Sequence, residues 1–184
     1  MISDAEFRSR NRKLGLMTKN SFRRYDPVRV VSYRKGMGLA YATSDRGACH
    51  LRATFYKSEL SGQIDPNQIK GKAKLFVDYE DKMTLFDALI LCRFYRDLIT
   101  WKDLQEIIKS TCNLSLRKKE LRTAASGIIN LARTFNQREG VTQKEDKLPR
   151  RFFREVLQGT GNTIQPQDLE VMLKEYYELR GWDG

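Results

Sequence analysis

Apolar side chains in this chain recur at helical spacing and nowhere in the strict alternation of a half-buried strand. Leu121, Ala125, Ile128, Ala132 and Phe135 follow one another at alternating steps of four and three, one face of an amphipathic helix. Leu169, Met172, Leu173 and Tyr176 form a second such face behind Pro166, whose fixed φ suits a first helical turn. Thr100 and Asp103 carry a capping-box pattern for a helix running to about Thr111, Ser115 offers a cap for the next, and Gly140 a stop. Pro149 can open a short helix over Arg150–Leu157. These signals predict an all-α fold, a bundle-like array of helices.

The rest of the chain fits that class. Ser3 and Glu6 predict a short helix over residues 4–14, and the small residues after Lys35 a tightly packed helix over 38–48, with the chain turning at Gly47. Residues 57–73 are a polar connection, and helix resumes at about Lys74. Its stretch from Thr84 to Leu98 is apolar on almost every face, which predicts a helix covered by its neighbours. By boundaries, residues 1–35 form a basic arm and residues 36–184 a helical body.

Hydrophobic residues are 40% of the chain, enough for a packed core. No apolar run approaches the roughly 20 residues of a membrane span, and the start lacks the apolar core of a signal peptide. A soluble, cytoplasmic protein is the expectation. The net charge of +11 is uneven: residues 1–35 hold 10 basic and 3 acidic side chains, the remainder 24 and 20. Such an arm suits nucleic acid, but no zinc finger or RNA-binding motif accompanies it, which ranks that reading last.

The three cysteines, Cys49, Cys92 and Cys112, include no C-x-x-C pair, so the chain cannot alone complete a four-cysteine metal site. A cysteine in such surroundings is ordinarily a small buried hydrophobe, the reading given to Cys112. The single histidine is His50. Residue chemistry by itself names no reaction: no Ser-His-Asp set, phosphate loop or carboxylate pair stands out.

Five blocks do point somewhere. GMGLAYATSDRGACHLRA (36–53), DALILCRF (87–94), LARTFNQREG (131–140), KLPRRFF (147–153) and DLEVMLKEYYELRGWDG (168–184) resemble, in order and spacing, the C-terminal helical part of the tungsten-containing aldehyde ferredoxin oxidoreductases. The resemblance runs from about Tyr25 to Gly184. It implies oxidation of an aldehyde to a carboxylate at tungsten held by two pterins, with electrons leaving through a four-iron, four-sulfur cluster to ferredoxin. The family's D-x-x-G-L-C pattern falls on Asp87 to Cys92. Asp87 would accept hydrogen bonds from a pterin's amino and ring N–H groups, and Cys92 would be the fourth cluster ligand. His50 would sit near tungsten, where an imidazole can bond or protonate the substrate oxygen, and the resemblance implies a partly open, apolar-lined cleft shared by Asp87 and His50.

Two departures qualify this. Ile90 replaces the pattern's glycine, whose missing side chain lets backbone approach the pterin. The family's N-terminal part, with the other pterin contacts and three cluster ligands, has no counterpart in these residues. The resemblance therefore implies a C-terminal piece that needs an N-terminal half on another chain, and that alone carries no cluster. The alternative is a cofactor-free helical remnant serving as an interaction module.

Overall fold

The computed structural model describes residues 35–47, 49, 51–155 and 163–182. Seven α-helices occupy them: α1 (Lys35–Thr43), α2 (Tyr56–Leu60), α3 (Lys72–Ala88), α4 (Trp101–Cys112), α5 (Lys118–Arg138), α6 (Arg151–Arg154) and α7 (Pro166–Arg180). No strand forms among the described residues; a lone bridge pairs Asp45 with Gly47. The fold is all-α, as the periodicity requires. The helix expected over residues 4–14 and the basic arm lie outside the described residues, apart from Lys35, which opens α1.

Helix α3 is the hub, packing on α5, α7 and α1, while α4 packs on α5. It serves two cores. Its first half gives Ala73, Phe76 and Val77 to a cluster with Met37, Leu39, Phe55, Ile164, Met172 and Tyr176. Its second half gives Met83, Leu85 and Phe86 to a cluster with Leu104 and Ile108 of α4 and Leu121 and Ala125 of α5. Between the cores α3 turns carboxylates inward. Arg180 of α7 donates from Nη2 to Glu80 (2.6 Å) and from Nη1 to Asp81 (2.7 Å), and the Tyr176 hydroxyl donates to Glu80 (2.7 Å). Burial holds the Glu80 carboxyl above its ordinary value, against the pull of Arg180.

Helix α1 starts and stops earlier than residues 38–48. Glu59 of α2 accepts the Gly36 N–H (3.1 Å) and, with the carbonyls of Asp65 and Pro66, surrounds the fully buried Lys72 ammonium. A Cβ on Gly36 would stand 2.3 Å from the Phe55 ring, so this close approach needs glycine. The helix ends at Thr43, and the Asp45–Gly47 turn follows with Gly47 at φ 85°.

The long helix expected from Lys74 through Leu98 ends ten residues sooner, at Ala88. The Leu91 N–H bonds Phe86 O (2.8 Å) and the Ile90 N–H bonds Asp87 O (3.1 Å), the paired 6→1 and 5→2 bonds of a Schellman stop. Leu91 then packs on the core beside Phe86. Ile90 takes the left-handed position, φ 56°, where glycine is usual. Downstream, Ile90, Phe94 and Leu98 are 92%, 87% and 74% exposed while Leu89, Leu91 and Ile99 pack on the second core, so the expected cover by the chain's own helices is only partial past Phe86.

Three further expectations are corrected. Helix α5 begins at Lys118 rather than behind Ser115, because Glu120 accepts the Arg117 N–H (2.7 Å) and guanidinium (3.0 Å) and closes the first turn there. Its apolar stripe is buried only at Leu121 and Ala125; Ile128 and Phe135 are exposed. The second half of α5 instead buries Arg133, donating to Asp146 (3.0 Å), and Asn136, donating to Asp45 O (2.7 Å). Cys112 ends α4 in solvent, not in the core.

The signals for α4 and α7 hold. Thr100 and Asp103 form the reciprocal capping box, and α7 begins at Pro166 and buries Leu169, Met172 and Tyr176.

Replacing Ile90 with glycine should stabilise the fold by about 1 kcal/mol, the left-handed cost of a side chain less glycine's extra unfolded-state entropy. Urea unfolding of Ile90→Gly checks this, and an unchanged or lower midpoint contradicts the assignment. Arg180→Met should cost about 3–5 kcal/mol, because it leaves Glu80 buried with only the Tyr176 hydroxyl. A carboxyl raised in the fold stabilises it when protonated and loses that contribution as pH rises through the folded value. The variant should therefore recover part of its loss between about pH 7 and about pH 5, and an equal loss at both pH values would refute the cause.

Candidate functional site

Asp87 lies in the last turn of α3, and the Schellman stop throws the chain outward directly after it. Cys92 follows at the end of that turn, its thiol exposed. Asp87 is exposed too, its side chain 37% accessible, although its neighbours Phe86, Leu89, Ile90 and Leu91 are apolar.

Two arginines meet on this carboxylate. Arg93, just past Cys92, donates from Nε to Oδ1 (3.0 Å) and from Nη2 to Oδ2 (2.5 Å), a two-pronged fork. Its remaining nitrogen, Nη1, donates to Leu51 O. Arg52 donates from Nη1 to Oδ2 of Asp87 (2.9 Å) and turns its other edge to Asp45, Nε to Oδ1 (2.9 Å) and Nη2 to Oδ2 (2.6 Å). Burial opposes the Arg52 charge, but Asp45 and Asp87 outweigh it and hold the guanidinium above its ordinary value.

The effect is to tie two segments distant in sequence. The loop after α1 is fixed from one side by Asn136 on Asp45 O and from the other by Arg52 and Arg93. Cys49, in the same loop, accepts from Arg46 Nη2 (3.1 Å). The structure thus brings Asp87 to the segment Leu51–Arg52, which immediately follows His50 in sequence. His50 itself lies outside the described residues, as does the expected cleft it would share with Asp87. Beyond Cys92, Lys82 of α3 donates to Arg96 O (2.7 Å) and Lys57 pairs with Asp97, so the exposed apolar segment is held by polar contacts.

Arg52 and Arg93 were absent from the candidates read from sequence, although both stand inside the matched blocks, at LRA and LCRF. A cation close behind each candidate residue was the available signal.

The residues fit a pterin and a cluster ligand in part. Arg93 demonstrates on Asp87 that this carboxylate receives a paired N–H fork, the donor pattern of a pterin's 2-amino and N3–H edge. Cys92 offers one thiol, and among the described residues no group of three or more His, Cys, Asp or Glu is arranged to hold a metal ion. A cleft of about 560 Å³ lies between α3, α5 and α7, lined by Asp81, Lys119, Arg122 and Arg180; none of Asp45, Arg52, Asp87, Cys92 or Arg93 borders it.

Comparison with known proteins identifies the family. The family described as aldehyde ferredoxin oxidoreductase, domains 2 & 3, matches residues 13–184, beginning earlier than the Tyr25 boundary expected. Tungsten-containing aldehyde ferredoxin oxidoreductases of Pyrococcus abyssi and Thermococcus kodakarensis are each 31% identical over 163 residues. That of Pyrococcus furiosus is 29% identical over the same length. The matched region covers 86% of this chain and 26% of each relative, so the chain spans about a quarter of their length. The chain belongs to the aldehyde ferredoxin oxidoreductase family and corresponds to the part that forms its domains 2 and 3.

Proposed function

We propose that this chain is the C-terminal part of an enzyme that oxidises an aldehyde to a carboxylate and passes the electrons to ferredoxin, with the N-terminal part supplied by a separate polypeptide. The observation that carries the reading is the turn after α3. It presents Asp87 and Cys92 together at the surface, followed by Phe94 and Leu98, apolar side chains at 87% and 74% exposure. A side chain of that kind left in water forgoes about 25 cal/mol for each Å² of apolar area, so such a segment suits a surface that another part of the enzyme covers.

On this reading each residue has one task. Asp87 accepts N–H groups of a pterin while Arg52 stays paired with its Oδ2. The Cys92 thiolate ligates one iron of a cluster whose other ligands come from the N-terminal part. The His50 imidazole bonds the substrate oxygen and holds or gives up a proton there. When bound, tungsten bis-pterin would supply a two-electron acceptor for the aldehyde carbon, and an iron–sulfur cluster would supply a one-electron path to ferredoxin. Overall, aldehyde and water become carboxylate, three protons and two electrons. No described helix is long and apolar enough to cross a membrane, and we place the enzyme in the cytoplasm.

Purifying the chain by an affinity tag from its native cells tests this. Tungsten and iron should co-purify together with a second polypeptide, and Cys92→Ala should lose most of the iron while keeping the chain folded by circular dichroism. Recovery of the chain alone and metal-free, under anaerobic conditions, would sink the proposal in favour of the cofactor-free remnant.

A further inference from the structure

The fork that Arg93 places on Asp87 has a chemical counterpart in the ligand proposed for that carboxylate. A guanidinium edge and the 2-amino, N3–H edge of a pterin both present two parallel N–H donors on an N–C–N unit. A carboxylate receives such an edge through both oxygens at once. In this chain both oxygens of Asp87 already face one: Arg93 Nε on Oδ1 and Arg93 Nη2 on Oδ2. Oδ2 also accepts Arg52 Nη1. A second fork cannot be added on the same edge, because each oxygen would need a free lone pair in the plane that Arg93 fills.

We propose that Arg93 is an internal placeholder, occupying the donor position that a pterin takes on Asp87, and that a pterin binds by exchanging with it. This deepens the reading of Asp87 as a pterin residue and rests on it.

The two arginines are built for different tasks. Arg52 spends two donors on Asp45 and only one on Asp87, so it can remain paired with the carboxylate while the fork is exchanged. Arg93 belongs to a short 3-10 turn, Arg93–Tyr95, none of whose residues is buried. Little packing is lost when that turn shifts. Its other partner, the Leu51 carbonyl, belongs to an exposed residue, where water can replace the departing N–H. The exchange swaps one charge-assisted fork for another, so its cost is that of an ion pair at a partly exposed site. Until the ligand arrives, Arg93 occupies both oxygens of Asp87 and Arg52 adds a third donor on Oδ2.

Fluorescence titration of the purified chain with 6-hydroxymethylpterin tests the exchange without any enzymatic activity. Arg93→Met, which keeps the side-chain length and removes the fork, should bind this pterin about fivefold more tightly than the unsubstituted chain. Arg93→Lys, which keeps the charge but not the fork, should fall between them. Asp87→Asn should abolish binding alone and in the Arg93→Met background. Methylguanidinium chloride should compete with the pterin in Arg93→Met and raise that variant's melting temperature above a sodium chloride control. Equal pterin affinity with and without Arg93 overturns the placeholder and leaves Asp87 as a pterin residue. Methylguanidinium binding to Arg93→Met with no pterin binding in any variant overturns the proposal through its premise, because the fork is then real and the pterin reading wrong.

Discussion

Arg180 holds this structure together from its last helix. One guanidinium reaches two carboxylates on α3, and the Tyr176 ring lies beneath it, 5.5 Å from ring centroid to guanidinium carbon. Because α3 serves both apolar clusters, that polar contact sits at the junction between them and fixes the rotation of α3 about its axis. The rotation decides what faces inward: Phe76 and Val77 on one side, Met83 and Phe86 on the other. A buried ion pair of this kind is weak evidence of net stability, since removing charge from water is costly. Its contribution is register. With α3 fixed, Asp87 emerges directly after Phe86 of the second cluster, facing the loop that follows α1.

The parts of the fold legible in the sequence were those with local causes. Thr100 with Asp103, and Pro166 ahead of an apolar stripe, act over one turn, and both helices form where those residues set them. The parts that misled were set by contacts distant in sequence. The run from Thr84 to Leu98 reads as one buried helix because apolar residues dominate it despite Asp87, Arg93, Arg96 and Asp97, and the usual stop, a glycine, is missing at Ile90. The stop forms anyway, because Leu91 gains the core beside Phe86 only if the chain reverses at Ile90. In α5 the stripe through Ile128 and Phe135 is real as a pattern. The neighbours that meet this half of the helix are loops offering Asp146 and Asp45 O, so Arg133 and Asn136 turn inward instead.

The site shows the same division. Asp87 and Cys92 were legible through their pattern, whereas the ion pairs that define the chemistry of Asp87 were not. Arg52 lies 35 residues from Asp87, and the ladder Asp45–Arg52–Asp87–Arg93 exists only because α1, α3 and α5 converge there. A carboxylate surrounded by apolar residues in sequence would need a partner if it were buried. The fold gives exposure with two, and the second of them is a donor fork matching that of the ligand the family would place there.

Ile90 connects the backbone problem to the ligand problem. The family pattern carries glycine at this position, and close approach of a pterin to bare backbone was one reason for it. The Schellman geometry supplies another, since the residue at this position has φ 56° and only glycine adopts that without steric cost. Both demands fall on one residue because the turn that ends α3 is also the turn that presents Asp87 and Cys92. In this chain the branched side chain meets neither demand by contact: it stands 92% exposed between the two candidate residues. The strain is therefore local, balanced within the turn by the burial of Leu91. The ligand-facing consequence is steric, with a butyl-sized apolar group raised from the middle of the surface where the cofactor side of the enzyme would close. A covering chain must accommodate that group, so the complementary surface in the N-terminal part should be apolar opposite Ile90 and polar opposite Asp87.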